Sequence, residues 1–205
     1  MSASRHVIVF AKKPQLGRVK TRLAAHIGEP QALEFYRRTL LTLLARLSSG
    51  GDWRCWISLT PDTAVTEPPF WPAEFEPLPQ GDGDLGRRMA RSIEALPGGP
   101  VLLVGADIPA LQNHHLEAGF EALENHDTVF GPAADGGYWL VGSNRTFATA
   151  DLFENVRWST DRALADTLAN VNTLGKTAAR LATLEDIDDD KAYQKWLTNA
   201  LSGAA

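Results

Sequence analysis

The chain has 205 residues, 44% of them apolar and 22% charged, and carries a net charge of −5. This balance excludes a disordered chain, and the acidic surplus excludes a general nucleic-acid binder, because a phosphate backbone demands a basic surface. The length fits one α/β domain over residues 1–205, since a single core commonly serves up to about 250 residues.

The first apolar run, His6 to Phe10, is short and β-branched, as a buried parallel strand should be, and it empties into the basic loop AKKPQLGRVKTRL. Beyond Gly28 and Pro30, Leu33, Tyr36, Leu40, Leu44 and Leu47 recur at helical spacing until Ser48, Ser49, Gly50 and Gly51 stop the pattern. Trp53 to Leu59 reads as a second strand. The stretch from there to Pro79 carries six prolines and reads as an irregular excursion that would suit a lid. Leu85 to Leu96 reads as a helix with GDGD as its turn and N-cap, and Val101 to Val104 as another buried strand. A helix over Asn113 to Glu124 and strands at Thr128 to Phe130 and Tyr138 to Val141 follow, with GPAADGG turning between the last two. A helix after Thr160, a strand around Thr177 to Ala182, an acidic turn EDIDDD and a helix over Lys191 to Leu201 complete the chain. Strands alternating with helices imply right-handed crossovers and a mostly parallel sheet flanked by helices.

The N-terminal apolar run is too short and too soon interrupted by lysine for a signal peptide, and no stretch approaches the ~20 apolar residues of a membrane span, so a cytoplasmic location is expected. The single cysteine, Cys55, lies in a strand and is expected to be a buried structural thiol. His114 and His115 lack metal-ligand spacing to any other histidine or cysteine and are expected to be exposed polar residues at a helix start. The G-x-S-x-G, Walker A and dinucleotide G-x-G-x-x-G patterns are absent.

Ligands of open parallel sheets bind beyond the carboxyl ends of the strands, so the loops leaving strands hold the candidates. Lys12, Lys13, Arg18, Lys20 and Arg22 crowd one such loop of an acidic protein, which makes it either a phosphate cradle or a solvated charge run. Asp107, in Gly105-Ala106-Asp107-Ile108-Pro109, follows a strand directly. A hard divalent cation is commonly held by one or two carboxylates plus substrate phosphates, so this residue reads as a metal ligand or as a helix N-cap. Asp135, Gly136 and Gly137 permit a close backbone approach or simply a tight hairpin. Gln80, Gly81 and Gly86 flank a helix start where a base or ribose could lie against main chain, or where an ordinary capped helix begins.

Taken together, AKKPQLGRVKTRL, QGDGDLGRRM, LLVGADIPAL, VFGPAADGGYWLVG and VRWST, in this order and spacing, resemble the DUF2064 family of GT-A-type glycosyltransferase-like proteins, from Phe10 to about Tyr193. More distantly the pattern is similar to phospholactate guanylyltransferases and molybdenum-cofactor nucleotidyltransferases, and TLEDIDDDKAY resembles the D-x-D-T-x-x-D-L ending of that wider group, with Asp189 in place of the threonine. The resemblance implies a GT-A, or nucleotide-diphospho-sugar transferase, fold. It implies that Lys12, Arg18, Lys20 and Arg22 face nucleotide phosphates, that Gln80, Gly81 and Gly86 line base and ribose, and that Asp107 binds Mg²⁺ or Mn²⁺. Asp135, Gly136 and Gly137 would border the acceptor or sugar, Trp158, Ser159 and Thr160 would close the pocket, and Asp188 would organise the last helix rather than bind metal, the alternative role for it. Three functions are compatible with this pattern. One is glycosyl transfer from a nucleoside diphosphate sugar to a small-molecule acceptor, with Asp107 and Lys20 at the diphosphate and Asp135 or Asp161 as the base. The second is nucleotidyl transfer from a nucleoside triphosphate, and the third is nucleotide-sugar binding without turnover.

Overall fold

The computed structural model describes residues 4–202, with side chains as far as Thr198. Seven strands form one sheet: β1 (His6–Lys12), β2 (Arg54–Thr60), β3 (Phe75–Pro79), β4 (Val101–Gly105), β5 (Thr128–Pro132), β6 (Tyr138–Ser143) and β7 (Ala178–Arg180). Their order is β3-β2-β1-β4-β6-β5-β7. Every pairing is parallel except those of β6, which runs antiparallel to both β4 and β5. The sheet is therefore mostly parallel, and the carboxyl ends of β1, β4 and β5 share one edge with the start of β6. The strand order reverses direction between β1 and β4, and such a switch point opens a crevice at that edge.

The helices are α1 (Thr21–Ile27), α2 (Glu29–Ser48), α3 (Leu85–Glu94), α4 (Asn113–Leu123), α5 (Ala163–Thr173) and α6 (Asp190–Ser202). Alternation along β1 explains why both faces of the sheet need a helical layer. Val7, Val9 and Ala11 point to one side, where Leu40, Leu44 and Leu47 of α2 and Leu116 and Phe120 of α4 cover them. Ile8 points to the other, against Met89 and Ile93 of α3 and Val171 of α5. A third, smaller cluster joins α1, α2 and the C-terminal segment: Leu23, Ala32, Phe35 and Ile187 are buried, with Tyr193 and Trp196 set edge-on to Phe35. Each large side chain buried in this way contributes about 1.5–3 kcal/mol. Among the described residues no helix is long and apolar enough to cross a membrane.

Several elements differ from the sequence expectation. The proline-rich excursion contains a 3-10 turn over Asp62–Thr66 and the strand β3. Pro77 and Pro79 are tolerated because β3 is an edge strand paired only with β2, so a missing N–H need not break a second ladder. The basic loop closes into the short helix α1, and Thr149–Phe153 forms another 3-10 turn. The expected N-cap of α3 is present, Asp84 accepting from the Arg87 backbone N–H at 2.8 Å. Cys55 is buried, and burial pushes its thiol up to about 11. His115 is no free surface residue: its Nδ1 accepts from the Gln112 backbone N–H at 3.0 Å in a capping box that starts α4.

His6 is fully buried at the amino end of β1, where its Nδ1 accepts from the Trp56 indole N–H at 3.1 Å and its Nε2 has no partner among the described residues. Burial lowers its pKa below the ordinary 6.5, so the folded state prefers neutral imidazole. The stability this provides is present above the unfolded value and is lost as the pH falls through the folded one. The drop in melting temperature between pH 7 and pH 5 is therefore expected to shrink in His6→Gln. An undiminished drop would assign acid sensitivity to other groups.

Candidate functional site

The crevice between β1 and β4 is built around Lys20. This residue is the N-cap of α1, adopts a left-handed backbone with φ 48°, and has a side chain only 3% exposed. A buried ammonium must be paired. Nζ donates to Asp107 Oδ2 at 2.8 Å and to Asp188 Oδ1 at 3.4 Å, and the other oxygen of Asp188 accepts from Arg22 at 3.0 Å. Asp107 Oδ1 makes no hydrogen bond among the described residues. Asp188 thus faces the crevice rather than organising the last helix. Asp189 performs that task, accepting from the Ala192 backbone N–H at 2.9 Å.

On one side of Asp107 lies a cavity of about 240 Å³ lined by Phe10, Lys12, Lys20, Gln80, Arg88 and Asp107. Gln80 is 1% exposed and spends its amide on main chain, Nε2 donating to the carbonyls of Ala11 at 3.0 Å and Ser58 at 2.8 Å, while its Oε1 accepts from Arg88. The Arg88 guanidinium stands 5.5 Å over the Phe10 ring, and burial lowers its pKa. At the floor the Tyr36 hydroxyl donates to the Lys12 carbonyl and accepts from the Lys12 N–H, both at 3.0 Å, which fixes the first residue of the basic loop. Through Lys12 this cavity adjoins a shallow basin of about 410 Å³ lined by Lys13, Gln15 and Arg18 as well. Lys13 also pairs with Glu67.

On the other side of Asp107 a second cavity, of about 220 Å³, is lined by Asp135, Tyr138, Trp139, Trp158, Asp186 and the loop Ser159-Thr160. Gly136, at φ +87°, lets the β5–β6 turn pass so close to Asp161 that a Cβ would lie 2.4 Å from its backbone. Asp135 Oδ1 accepts from Gly137 N–H at 2.9 Å. The loop carrying Trp158 is clamped by Arg157, whose Nε and Nη2 donate to Asp166 at 2.9 and 2.7 Å and hold that carboxyl down at about 2. Burial lifts the Asp186 carboxyl above the ordinary carboxylate range, and the charges of Asp107 and Asp135 push it the same way.

Of the residues expected from sequence, Lys12, Lys20, Gln80 and Asp107 therefore meet at the first cavity, and Asp107, Asp135, Gly137, Trp158, Ser159 and Thr160 at the second. Arg18 reaches the adjoining basin and Arg22 the rim beside Asp188. Gly81 lies aside, its N–H donating to Asp62 at 2.9 Å, and Gly86 packs beneath Phe153 and Trp158. Asp161 points outward, 76% exposed, 3.5 Å from Arg162. Phe10, Tyr36, Arg88 and Asp186 were not singled out. For Asp186 a signal existed: in Asp186-Ile187-Asp188 the middle residue is buried in the small cluster, so extended alternation turns both carboxylates the other way.

Among the described residues no three carboxylate, histidine or cysteine side chains converge as a metal cage. One Asp107 oxygen is unengaged and the residue borders both cavities, so a hard cation completed by substrate phosphates fits at this position.

The fold is that of the nucleotide-diphospho-sugar transferase class. The family model of DUF2064, described as uncharacterised proteins conserved in bacteria, matches residues 43–160, and the chain belongs to that family. Its structure is similar to that of a candidate nucleotide-diphospho-sugar transferase from Desulfovibrio desulfuricans G20, with 27% identity, a TM-score of 0.79, and coverage of 92% of this chain and 84% of the other. It also shares its fold with Rv0371c from Mycobacterium tuberculosis H37Rv (14% identity, TM-score 0.61, 97% and 100% covered). A third likeness of fold is to CMP:2-keto-3-deoxy-manno-octonic acid synthetase complexed with CTP (8% identity, TM-score 0.58, 98% and 99% covered). No curated protein matches the chain.

Because Lys20 is almost fully buried, removing one of its two partners leaves a poorly compensated charge. Asp107→Ala is expected to lower stability by about 1–3 kcal/mol, less than for a fully buried pair because Asp188 remains. Asp107→Asn, which keeps an acceptor oxygen, should lose less. Equal losses in urea unfolding would mean that the charge of Asp107, rather than its hydrogen bond, holds Lys20.

Proposed function

We propose that the chain transfers a glycosyl group from a nucleoside diphosphate sugar to a small-molecule acceptor in a metal-dependent reaction. The observation that carries this reading is that two cavities of different charge meet at Asp107, one bordered by three cations against two carboxylates, the other by three carboxylates with no lysine or arginine. The nucleoside lies in the first, with the base between Phe10 and Leu85 and beside Arg88. Lys12, Lys20 and Arg18 hold the diphosphate, with Arg22 at the rim. Mg²⁺ or Mn²⁺ bound through Asp107 supplies charge neutralisation for the diphosphate, in keeping with the manganese complex described for Rv0371c. The sugar lies at Asp107, where the two cavities meet, and leaves the second cavity to the acceptor. There the acceptor oxygen forms its bond to the anomeric carbon as the bond from that carbon to the diphosphate oxygen breaks, and Asp135 takes the acceptor proton. Lys20 donates to the departing diphosphate once its contact with Asp107 loosens, so its ammonium charge is used where negative charge develops. Trp158, Ser159 and Thr160 cover the reacting atoms from the clamped loop, and Gly136 and Gly137 let the β5–β6 turn approach them.

A second reading, nucleotidyl transfer from a nucleoside triphosphate, is favoured by one feature. The basin holding Lys13 and Arg18 continues the nucleotide cavity and offers room and charge for the β- and γ-phosphates of a triphosphate. The products separate the readings, because glycosyl transfer releases nucleoside diphosphate and nucleotidyl transfer releases pyrophosphate.

The first test is a thermal-shift titration against nucleoside diphosphate sugars and nucleoside triphosphates, with and without Mg²⁺ or Mn²⁺, followed by analysis of the released product. Metal-dependent stabilisation by one diphosphate sugar, abolished in Asp107→Asn, is the expected result. A triphosphate preference with pyrophosphate release would replace it by the second reading. Lys20→Ala should weaken diphosphate binding at least 10-fold while changing nucleoside binding little, and equal weakening of both would remove Lys20 from the phosphates.

A further inference from the structure

On the reading above, we infer that the acceptor is a small polyhydroxylated molecule, uncharged or cationic, and that the second cavity turns away phosphorylated and carboxylated molecules. Charge is distributed unevenly across Asp107. The described residues bordering the second cavity include three carboxylates, Asp107, Asp135 and Asp186, and no lysine or arginine. The first cavity is bordered by three cations, Lys12, Lys20 and Arg88, against two carboxylates, Asp107 and Asp188. The basin through which the second cavity opens toward the C-terminal segment, about 470 Å³, does carry Arg22, Lys191 and Lys195, but against Asp135, Glu185, Asp186, Asp188 and Asp189. Five carboxylates minus three cations leave two negative charges, and two of the three cations are already committed, Arg22 to Asp188 at 3.0 Å and Lys195 to Glu185 at 2.7 Å. An acceptor bearing a phosphate would bring like charge into this field without a counter-charge, whereas hydroxyl and ammonium groups donate hydrogen bonds that carboxylate oxygens accept.

The walls point to the same chemistry. Tyr138 and Trp158 meet edge to face at 6.4 Å between centroids, and the Trp158 indole N–H is buried without a partner among the described residues. Aromatic rings offer flat apolar surface to the C–H face of a sugar or polyol, while the carboxylates take its hydroxyls. The volume, about 220 Å³, lies below the ~300–1,000 Å³ of sites for drug-sized ligands and suits one ring. A nucleotidyl acceptor that presents a phosphate would find no lysine or arginine bordering this cavity, and a metal on Asp107 would already be shared with the donor phosphates, so the same feature favours glycosyl transfer.

The test uses the full chain and probe pairs that differ only in charge: glucose against glucose 6-phosphate, glycerol against glycerol 3-phosphate, and glucosamine alongside glucose. Binding is read by saturation-transfer NMR without any donor, so that it does not depend on turnover. The uncharged and amino probes are expected to bind at least 10-fold more tightly than their phosphorylated partners, and Asp135→Asn combined with Asp186→Asn is expected to narrow that ratio. Preference for the phosphorylated probes, or no binding by any of them, would overturn the inference. If the NMR preference is found but no nucleoside diphosphate sugar stabilises the protein, the proposed donor fails while the acceptor class stands.

Discussion

The crevice depends on one buried charge. The Lys20 ammonium, 3% exposed, is compensated by carboxylates from two remote parts of the chain, Asp107 at the exit of β4 and Asp188 just before α6. A lone buried ammonium would cost several kcal/mol, so neither partner can drift without a penalty. The packing places them. β1 and β4 pair in parallel with Phe10 opposite Gly105, which brings the loop holding Lys20 and the segment holding Asp107 out of the sheet side by side. The small cluster of Leu23, Phe35 and Ile187 then presses the C-terminal segment onto α1 and carries Asp188 to the ammonium. The left-handed backbone of Lys20 costs of order 1 kcal/mol and persists because these contacts over-determine it.

Electrostatic partition follows from this arrangement. Lys20 links a cationic half of the crevice to an anionic half, and Asp107 stands at the boundary with one oxygen on the ammonium and one free. A phosphate entering the first cavity competes with Asp107 for Lys20, while a divalent cation competes with Lys20 for Asp107. On the proposed reading, each therefore weakens the contact that opposes the other, and metal and diphosphate would bind more tightly together than apart.

Much of this was legible in the sequence because strands bury continuous apolar runs and ligands gather where such runs end. HVIVF and VLLVG located β1 and β4, and the residues just beyond them, Lys12, Lys20 and Asp107, meet in the crevice. The direction of β6 was not legible. A six-residue apolar strand reads the same either way, and only the short β5–β6 turn hints that it inserts antiparallel beside β4. β3 was hidden by prolines that an edge position tolerates, and α1 by a charge density that masked Leu23, its one buried residue. Gly81 and Gly86 show the opposite error. Glycine at a helix start suggests an open backbone, yet here both serve close packing within the protein, against Arg91 in one case and against Phe153 and Trp158 in the other.

Fold alone does not separate glycosyl from nucleotidyl transfer, since the same sheet supports both; the proposed reading rests instead on the distribution of charge around Asp107. That distribution rests on the register of the C-terminal segment. β7 has three residues, but pairing continues beyond it: Leu181 N–H donates to Phe130 O at 2.8 Å, Leu184 N–H to Pro132 O at 3.1 Å, and the Trp139 indole N–H to Ala182 O at 3.1 Å. These contacts zip the chain along the rim of β5 and deliver Asp186-Ile187-Asp188 in phase. Ile187 enters the cluster with Leu23 and Phe35, while Asp186 reaches the second cavity and Asp188 reaches Lys20. Alternation has a period of two, so a slip of one residue would put a carboxylate in the apolar cluster and an isoleucine at the ammonium. The desolvation cost of that exchange opposes it, and the short pairing along β5 thereby fixes which charges stand at the acceptor side of the crevice.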